Sequence, residues 1–169
     1  LMNGKITVSS KPNVGTTFSV VIPMEVTKDV VQKNNKEVNI KEKYQRLNNC
    51  KILLVEDNEF NQLVAVDTLK SILPNIEIQT AINGREAVNA VIKHDFDVIL
   101  MDIQMPVMNG IEATQEIRNT LPAPKKDISI IAMTANVLQD DVKVYFNNGM
   151  NAFISKPFNT EELLTKIND

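Results

Sequence analysis

At 169 residues, 43% hydrophobic and 23% charged, the chain has room for one ordinary domain plus an appendage, in a balance that excludes a disordered tail. It has no apolar run long enough to cross a bilayer and no basic-then-apolar leader. Its single cysteine, Cys50, excludes an internal disulfide and suits a reducing, cytoplasmic compartment. The net charge of −3 is uneven: residues 1–49 carry eight basic and four acidic side chains, so the remainder carries ten against seventeen, which argues against binding a nucleic-acid backbone and favours attraction of a divalent cation.

Lys5–Ser9 alternates as a half-buried strand does, Lys11-Pro12-Asn13-Val14-Gly15 is turn chemistry, and Thr17–Ile22 is a second strand stopped by Pro23. Together they predict an antiparallel hairpin over residues 1–24, which is marginal in water without a partner surface. Residues 25–49 are diluted with Asn, Gln and Lys. Val38, Tyr44 and Leu47 could line one side of a short helix, but the segment reads as a linker.

From residue 50 to 169 the rhythm becomes strand then helix, five times over. Strands are predicted at Lys51–Val55, Ile76–Thr80, Asp97–Met101, Ile128–Ala132 and Ala152–Ile154, and helices at 59–72, 84–93, 109–119, 136–147 and 160–167. Several strands are continuous apolar runs, the pattern of strands covered on both faces. Phe60, Leu63 and Val64 give the first helix its apolar face, and Ala87, Val88 and Val91 do so for the second. Asn83-Gly84 turns into the second helix, and Gly149 ends the fourth. The fold class is α/β: a doubly wound five-stranded parallel sheet with five helices. Cys50 reads as a small core residue. The lone His94, at the end of the second helix, reads as a side chain that caps carbonyls and suits the helix dipole.

Ligands of open parallel sheets bind beyond the carboxyl ends of the strands. The first strand here ends in Glu56-Asp57, the third in Asp102, the fourth in Thr134 and the fifth in Lys156. Three carboxylates on one edge must be neutralised by protons, a cation or an ammonium. Oxygen donors without His or Cys suit a hard ion, Mg²⁺ or Mn²⁺. A carboxylate is also a competent nucleophile toward phosphorus. Lys156 offers a point charge and Thr134 a hydrogen bond to phosphoryl oxygens, so the inventory suffices for phosphorylation of Asp102.

The runs Leu53-Leu54-Val55-Glu56-Asp57-Asn58, Met101-Asp102-Ile103-Gln104-Met105-Pro106-Val107-Met108-Asn109-Gly110, Met133-Thr134-Ala135-Asn136 and Ser155-Lys156-Pro157-Phe158 resemble the receiver domains of two-component response regulators. That resemblance implies a flavodoxin-like receiver fold and a phosphoacceptor at Asp102. It implies Mg²⁺ held by Glu56, Asp57, Asp102 and the backbone carbonyl of Gln104, with Thr134 and Lys156 on the phosphoryl oxygens. Phe153 falls at the switch-aromatic position, and the Lys156–Pro157 bond is expected to be cis. The implied partner is a phosphohistidine on a kinase domain or a histidine phosphotransfer domain, docking near Asn58, Phe60 and Pro157. No nucleic acid or membrane contact is expected.

Gly4–Phe18 is similar to the last two strands of the histidine-kinase ATP-binding domain. The order of hairpin, linker and receiver is that of hybrid sensor histidine kinases, whose parent protein can be membrane-anchored. With no nucleotide-binding motif and no phosphoacceptor-histidine helix, this stretch is expected to bind no ATP. Two other readings stay open at this stage. One is a metal-dependent phosphohydrolase with an aspartate nucleophile, although Gln104 stands where such enzymes want a second acid. The other is a scaffold that works with Asp102 unmodified.

Overall fold

The computed structural model describes residues 3–24, 40, 42–135 and 139–168, without the side chains of 139 and 140. The chain divides into two units, 1–33 and 34–169. In the first, β1 (Lys5–Lys11) pairs antiparallel with β2 (Gly15–Val21), Lys5 facing Val21 and Lys11 facing Gly15. The turn depends on Asn13 at φ 58° and Gly15 at φ 135°, a left-handed backbone that Asn and Gly tolerate. The register puts Ile6 and Val8 opposite Val20 and Phe18, so one face is apolar, and all four side chains are exposed.

The second unit holds a parallel sheet of five strands in the order β4-β3-β5-β6-β7. These are β3 (Lys51–Val55), β4 (Glu77–Ala81), β5 (Val98–Asp102), β6 (Ser129–Thr134) and β7 (Ala152–Ser155). The described helices are α1 (Glu59–Ile72), α2 (Gly84–Lys93), α3 (Gly110–Thr120), α4 (Gln139–Asn147) and α5 (Thr160–Asn168). Residues 136–138, expected to open the fourth helix, lie outside the described residues. Successive strand residues point to opposite faces. Leu53, Val55, Ile99 and Met101 enter a core with α2, α3 and α4, while Ile52, Leu54, Val98 and Leu100 enter another with α1 and α5. Both faces are covered, as the unbroken apolar runs require.

Local chemistry sets the helix starts. Asn58, Asn83 and Asn109 each cap a helix, and Asn109 with Glu112 forms a reciprocal capping box. Gly149, at φ 94°, follows α4 as expected. Among the described residues no helix is long and apolar enough to cross a membrane.

Three expectations change. Phe60, Leu63 and Val64 lie on the outer side of α1, at 71%, 57% and 49% exposure, and Ala65, Leu69 and Leu73 face the core instead. His94 is the C-cap residue of α2, its backbone N–H donating to the Ala90 carbonyl at 2.9 Å, but the side chain on the last carbonyls is that of Lys125. The ammonium of Lys125 donates to the carbonyls of Val91, Ile92 and His94 at 2.6, 2.9 and 3.1 Å, and the His94 ring stands edge-on to Phe96.

The stretch read as the end of a linker is part of the packed unit. Tyr44 and Leu47 are buried among α5 and sheet residues, Tyr44 Oη lies 2.7 Å from Thr165 Oγ1, and Arg46 donates to Asn168. Cys50 is half-buried against the same cluster, where burial pushes its thiol pKa up.

Candidate phosphoacceptor site

The sheet order reverses direction at β3, since the chain goes outward to β4 and then returns to β5 on the other side. The crevice at such a switch point is where open parallel sheets bind ligands. Glu56 and Asp57 follow β3 and Asp102 ends β5, so all three acids stand at that crevice. One oxygen from each lies within 4.8 Å of the others. The cleft has a volume of about 270 Å³, and Gln104, Thr134 and Lys156 complete its wall.

Lys156 binds the cluster together. Its Nζ lies 2.5 Å from Glu56 Oε2 and 2.8 Å from Asp102 Oδ2. Its backbone N–H donates to the Thr134 carbonyl at 2.7 Å, and the Lys156–Pro157 peptide bond is cis, as expected. Ala123–Pro124 is also cis. Glu56 is 3% exposed, and its second oxygen accepts from Asn61 Nδ2 at 2.8 Å. Gln62 Nε2 holds the Glu56 carbonyl at 2.6 Å. Asp57 is exposed.

Asp102 is nearly buried, and its Oδ1 accepts weakly from the Gln104 N–H at 3.4 Å. Loss of water holds its carboxyl above the ordinary range, with Glu56 adding to the rise and Lys156 opposing it. Behind it, Gly110 donates its N–H to the Ile103 carbonyl at 3.0 Å, and a Cβ there would overlap the Asp102 carbonyl oxygen. Only glycine lets α3 start this close to β5.

Three carboxylates and one ammonium leave a formal −2 in the cleft, and every acidic donor is a hard oxygen. That set fits a divalent cation with oxygen preference. Asp57→Asn removes one of these charges from an exposed position, so the fold is expected to tolerate it. Magnesium affinity is expected to fall about tenfold or more, roughly 1.4 kcal/mol, in a calorimetric titration. Equal affinity in the two proteins would remove Asp57 from the site.

The structure thus brings Glu56, Asp57, Asp102, Gln104, Thr134 and Lys156 together around one cleft. Phe153 lies further off, half-buried, its ring edge-on to Phe146 with centroids 6.3 Å apart. Asn58 caps α1 at the rim. Phe60 and Pro157 border an adjoining apolar groove of about 350 Å³ that shares Glu56, Asn61 and Lys156 with the cleft and is lined by Leu54 and Met133.

Sequence reasoning missed Asn61, Gln62 and Tyr145. Asn61 and Gln62 stand one turn into α1 from its Asn58 cap, a place that could have suggested them. The Tyr145 hydroxyl, 3.1 Å from Thr134 Oγ1, has no local signal.

The family profile of the response regulator receiver domain matches residues 52–168. The hybrid signal transduction histidine kinase K of Dictyostelium discoideum is 37% identical over 175 residues. That alignment takes in 99% of this chain, which spans 14% of that relative's length. Among solved structures, the receiver domain of the sensor histidine kinase PA1611 of Pseudomonas aeruginosa PAO1, with a magnesium ion coordinated in its active-site cleft, is 38% identical with a TM-score of 0.63. The match covers 70% of this chain and 94% of that one. A co-crystal structure from Saccharomyces cerevisiae, of the histidine phosphotransfer protein Ypd1 with the receiver domain of its response regulator Ssk1, matches at 33% identity and a TM-score of 0.64. It covers 70% of this chain and 86% of that one.

Proposed function

Because this chain belongs to the response regulator receiver domain family, we propose that residues 50–169 accept a phosphoryl group from a phosphohistidine onto Asp102. The observation that carries this is the position of the Lys156 ammonium, 2.8 Å from the carboxylate of Asp102 in a cleft with two further acids. An Asp102 oxygen attacks phosphorus, the P–O bond forms as the P–N bond breaks, and the imidazole leaves with its electron pair and takes a proton. Lys156 and Thr134 neutralise and hold the phosphoryl oxygens.

Mg²⁺, held by Glu56, Asp57, Asp102 and the Gln104 carbonyl, would supply charge neutralisation, and Mn²⁺ meets the same donors. Intact mass after treatment with acetyl phosphate and Mg²⁺ is the test. One phosphoryl group per chain is expected. An unchanged mass overturns the reading, and sustained hydrolysis of the donor without a labelled chain favours a phosphohydrolase.

The docking side is argued from exposure. An aromatic ring as exposed as Phe60, beside an apolar groove at the rim of the cleft, is in place to receive the helix that carries a phosphohistidine. Asn58 and Pro157 would frame that contact. Phe60→Ala is expected to slow transfer from a phosphohistidine protein about tenfold, the size of a binding hot spot, while acetyl phosphate labels it as before. Equal loss with both donors would mean that Phe60 acts on the site and not on the partner.

Phosphorylation adds about −1.5 to −2 of charge beside the acids. Thr134 then gains a phosphoryl oxygen as a hydrogen-bond acceptor, and Phe153 turns inward from its place against Phe146. The change is a shift between two packings of the face formed by α4, β7 and α5. The hairpin of residues 1–24 fits the end of a histidine-kinase ATP-binding domain, and the alignment with a hybrid kinase over 99% of the chain supports that origin.

A further inference from the structure

Thr134 stands between two cavities. One is the acidic cleft. The other, of about 190 Å³, is walled mainly by Ile103, Ile111, Val144 and Tyr145, with Gln104 and Asp141 at its polar side. On that second side the hydroxyls of Thr134 and Tyr145 lie 3.1 Å apart, and both residues are buried, at 4% and 5% exposure. We infer that Tyr145 is a positioning residue for this receiver. It donates its hydroxyl hydrogen to Thr134 Oγ1, orients the Thr134 hydrogen toward the phosphoryl group on Asp102, and carries the displacement of Thr134 into α4.

The inference rests on the phosphoacceptor reading above and extends it to a residue outside the cleft. A phenol is a stronger acid than an alcohol, so the favoured direction is from Tyr145 to Thr134. A threonine hydroxyl can accept twice and donate once. Accepting from Tyr145 is therefore compatible with donating to a phosphoryl oxygen, and a chain of two such bonds polarises in one direction. A buried phenol also keeps a partner. When Thr134 is drawn toward Asp102, following it costs less than turning the hydroxyl against Ile103, Ile111 and Val144.

Tyr145 sits on α4 beside Phe146, whose ring meets Phe153 edge-on. The helix is thus held by a hydroxyl at the end of β6 and by a ring on β7. The hydrogen bond makes α4 respond to Thr134 directly, in addition to any rotation of Phe153.

The test uses the full 169-residue chain with acetyl phosphate and Mg²⁺, read by intact mass and by NMR of α4 amides. In Tyr145→Phe, labelling is expected to be slower by roughly two- to tenfold, the worth of one hydrogen bond. At full labelling its amide shifts over 144–147 should be less than half those of wild type.

A second measurement does not depend on Tyr145→Phe. The ring signals of Tyr145 should move on phosphorylation in the unsubstituted chain and stay still in Thr134→Ala. Wild-type shifts in fully labelled Tyr145→Phe would overturn the inference while leaving Asp102 as acceptor. So would Tyr145 ring signals that move equally in Thr134→Ala. A wild-type chain that takes no phosphoryl group would overturn the receiver reading, and this inference with it.

Discussion

Asp102→Asn is expected to abolish phosphoryl incorporation from any donor and, without metal, to raise the melting temperature at neutral pH. The first effect follows from the nucleophile, since an amide oxygen does not form a stable acyl phosphate and Glu56 is engaged by Lys156 and Asn61. The second follows from burial. The Asp102 carboxyl holds its proton more tightly in the folded chain than in the unfolded one, because lost hydration outweighs the pull of Lys156.

A raised folded pKa means that the charged form opposes folding. The penalty is absent below the unfolded value near about 4 and develops as pH rises through the folded value. Asparagine carries no such penalty, so the variant's advantage should shrink as pH falls toward about 4. Added Mg²⁺ should reverse the order, because wild type gains more binding free energy from the ion. Intact mass and melting curves at several pH values, with and without Mg²⁺, check both effects. A labelled Asp102→Asn chain would place the acceptor elsewhere.

Removing residues 1–49 is expected to cost far more than an N-terminal linker would. Tyr44 is 1% exposed and Leu47 is 6% exposed, both within the core shared with α5. Emptying a buried aromatic position costs about 3–5 kcal/mol and a leucine about 2–5. Removing the segment also removes the entropic cost of ordering it, so a net loss of about 4 kcal/mol is expected, against a total of about 5–15 for such a domain. Residues 40–169 should unfold in urea at nearly the full-chain midpoint, whereas 50–169 should unfold much earlier. Equal midpoints for the two would show that Tyr44 and Leu47 cover the core without stabilising it.

That contrast shows what sequence patterns can carry. Ile52–Val55, Val98–Met101 and Ile130–Met133 announce themselves because strands covered on both faces must be apolar without interruption. Their ends therefore point to Glu56, Asp102 and Thr134. Boundaries moved by a residue or two: α3 begins at Gly110 because Asn109 is spent on the cap, and β6 runs on to Thr134 because its pairing with β7 does.

Tyr44 was nearly invisible, since its partner Thr165 lies 121 residues away and neither belongs to a strong periodic run. Tyr145 falls within the predicted helix 136–147, and its hydroxyl acquires meaning only once β6 is beside it. Phe60, Leu63 and Val64 misled for the opposite reason. Their helical spacing is real, but it marks the outer side of α1, because the residues that press on the sheet there include a small one, Ala65.

Lys156 and α5 give the order of synthesis a consequence. A ribosome delivers this chain from its N-terminus, and β3 and β5 with their three acids emerge well before β7. Until Lys156 arrives, the nascent protein holds three converging carboxylates with no ammonium among them. Until α5 follows, the core face under Tyr44 stands open, because Leu163 and Leu164 are still missing from it. In the proposed reading, a nascent chain that has not reached Lys156 is therefore expected to present no competent acceptor to a donor. A product that stops before Lys156 is expected to take no label from acetyl phosphate, because the ammonium that faces Asp102 is then missing.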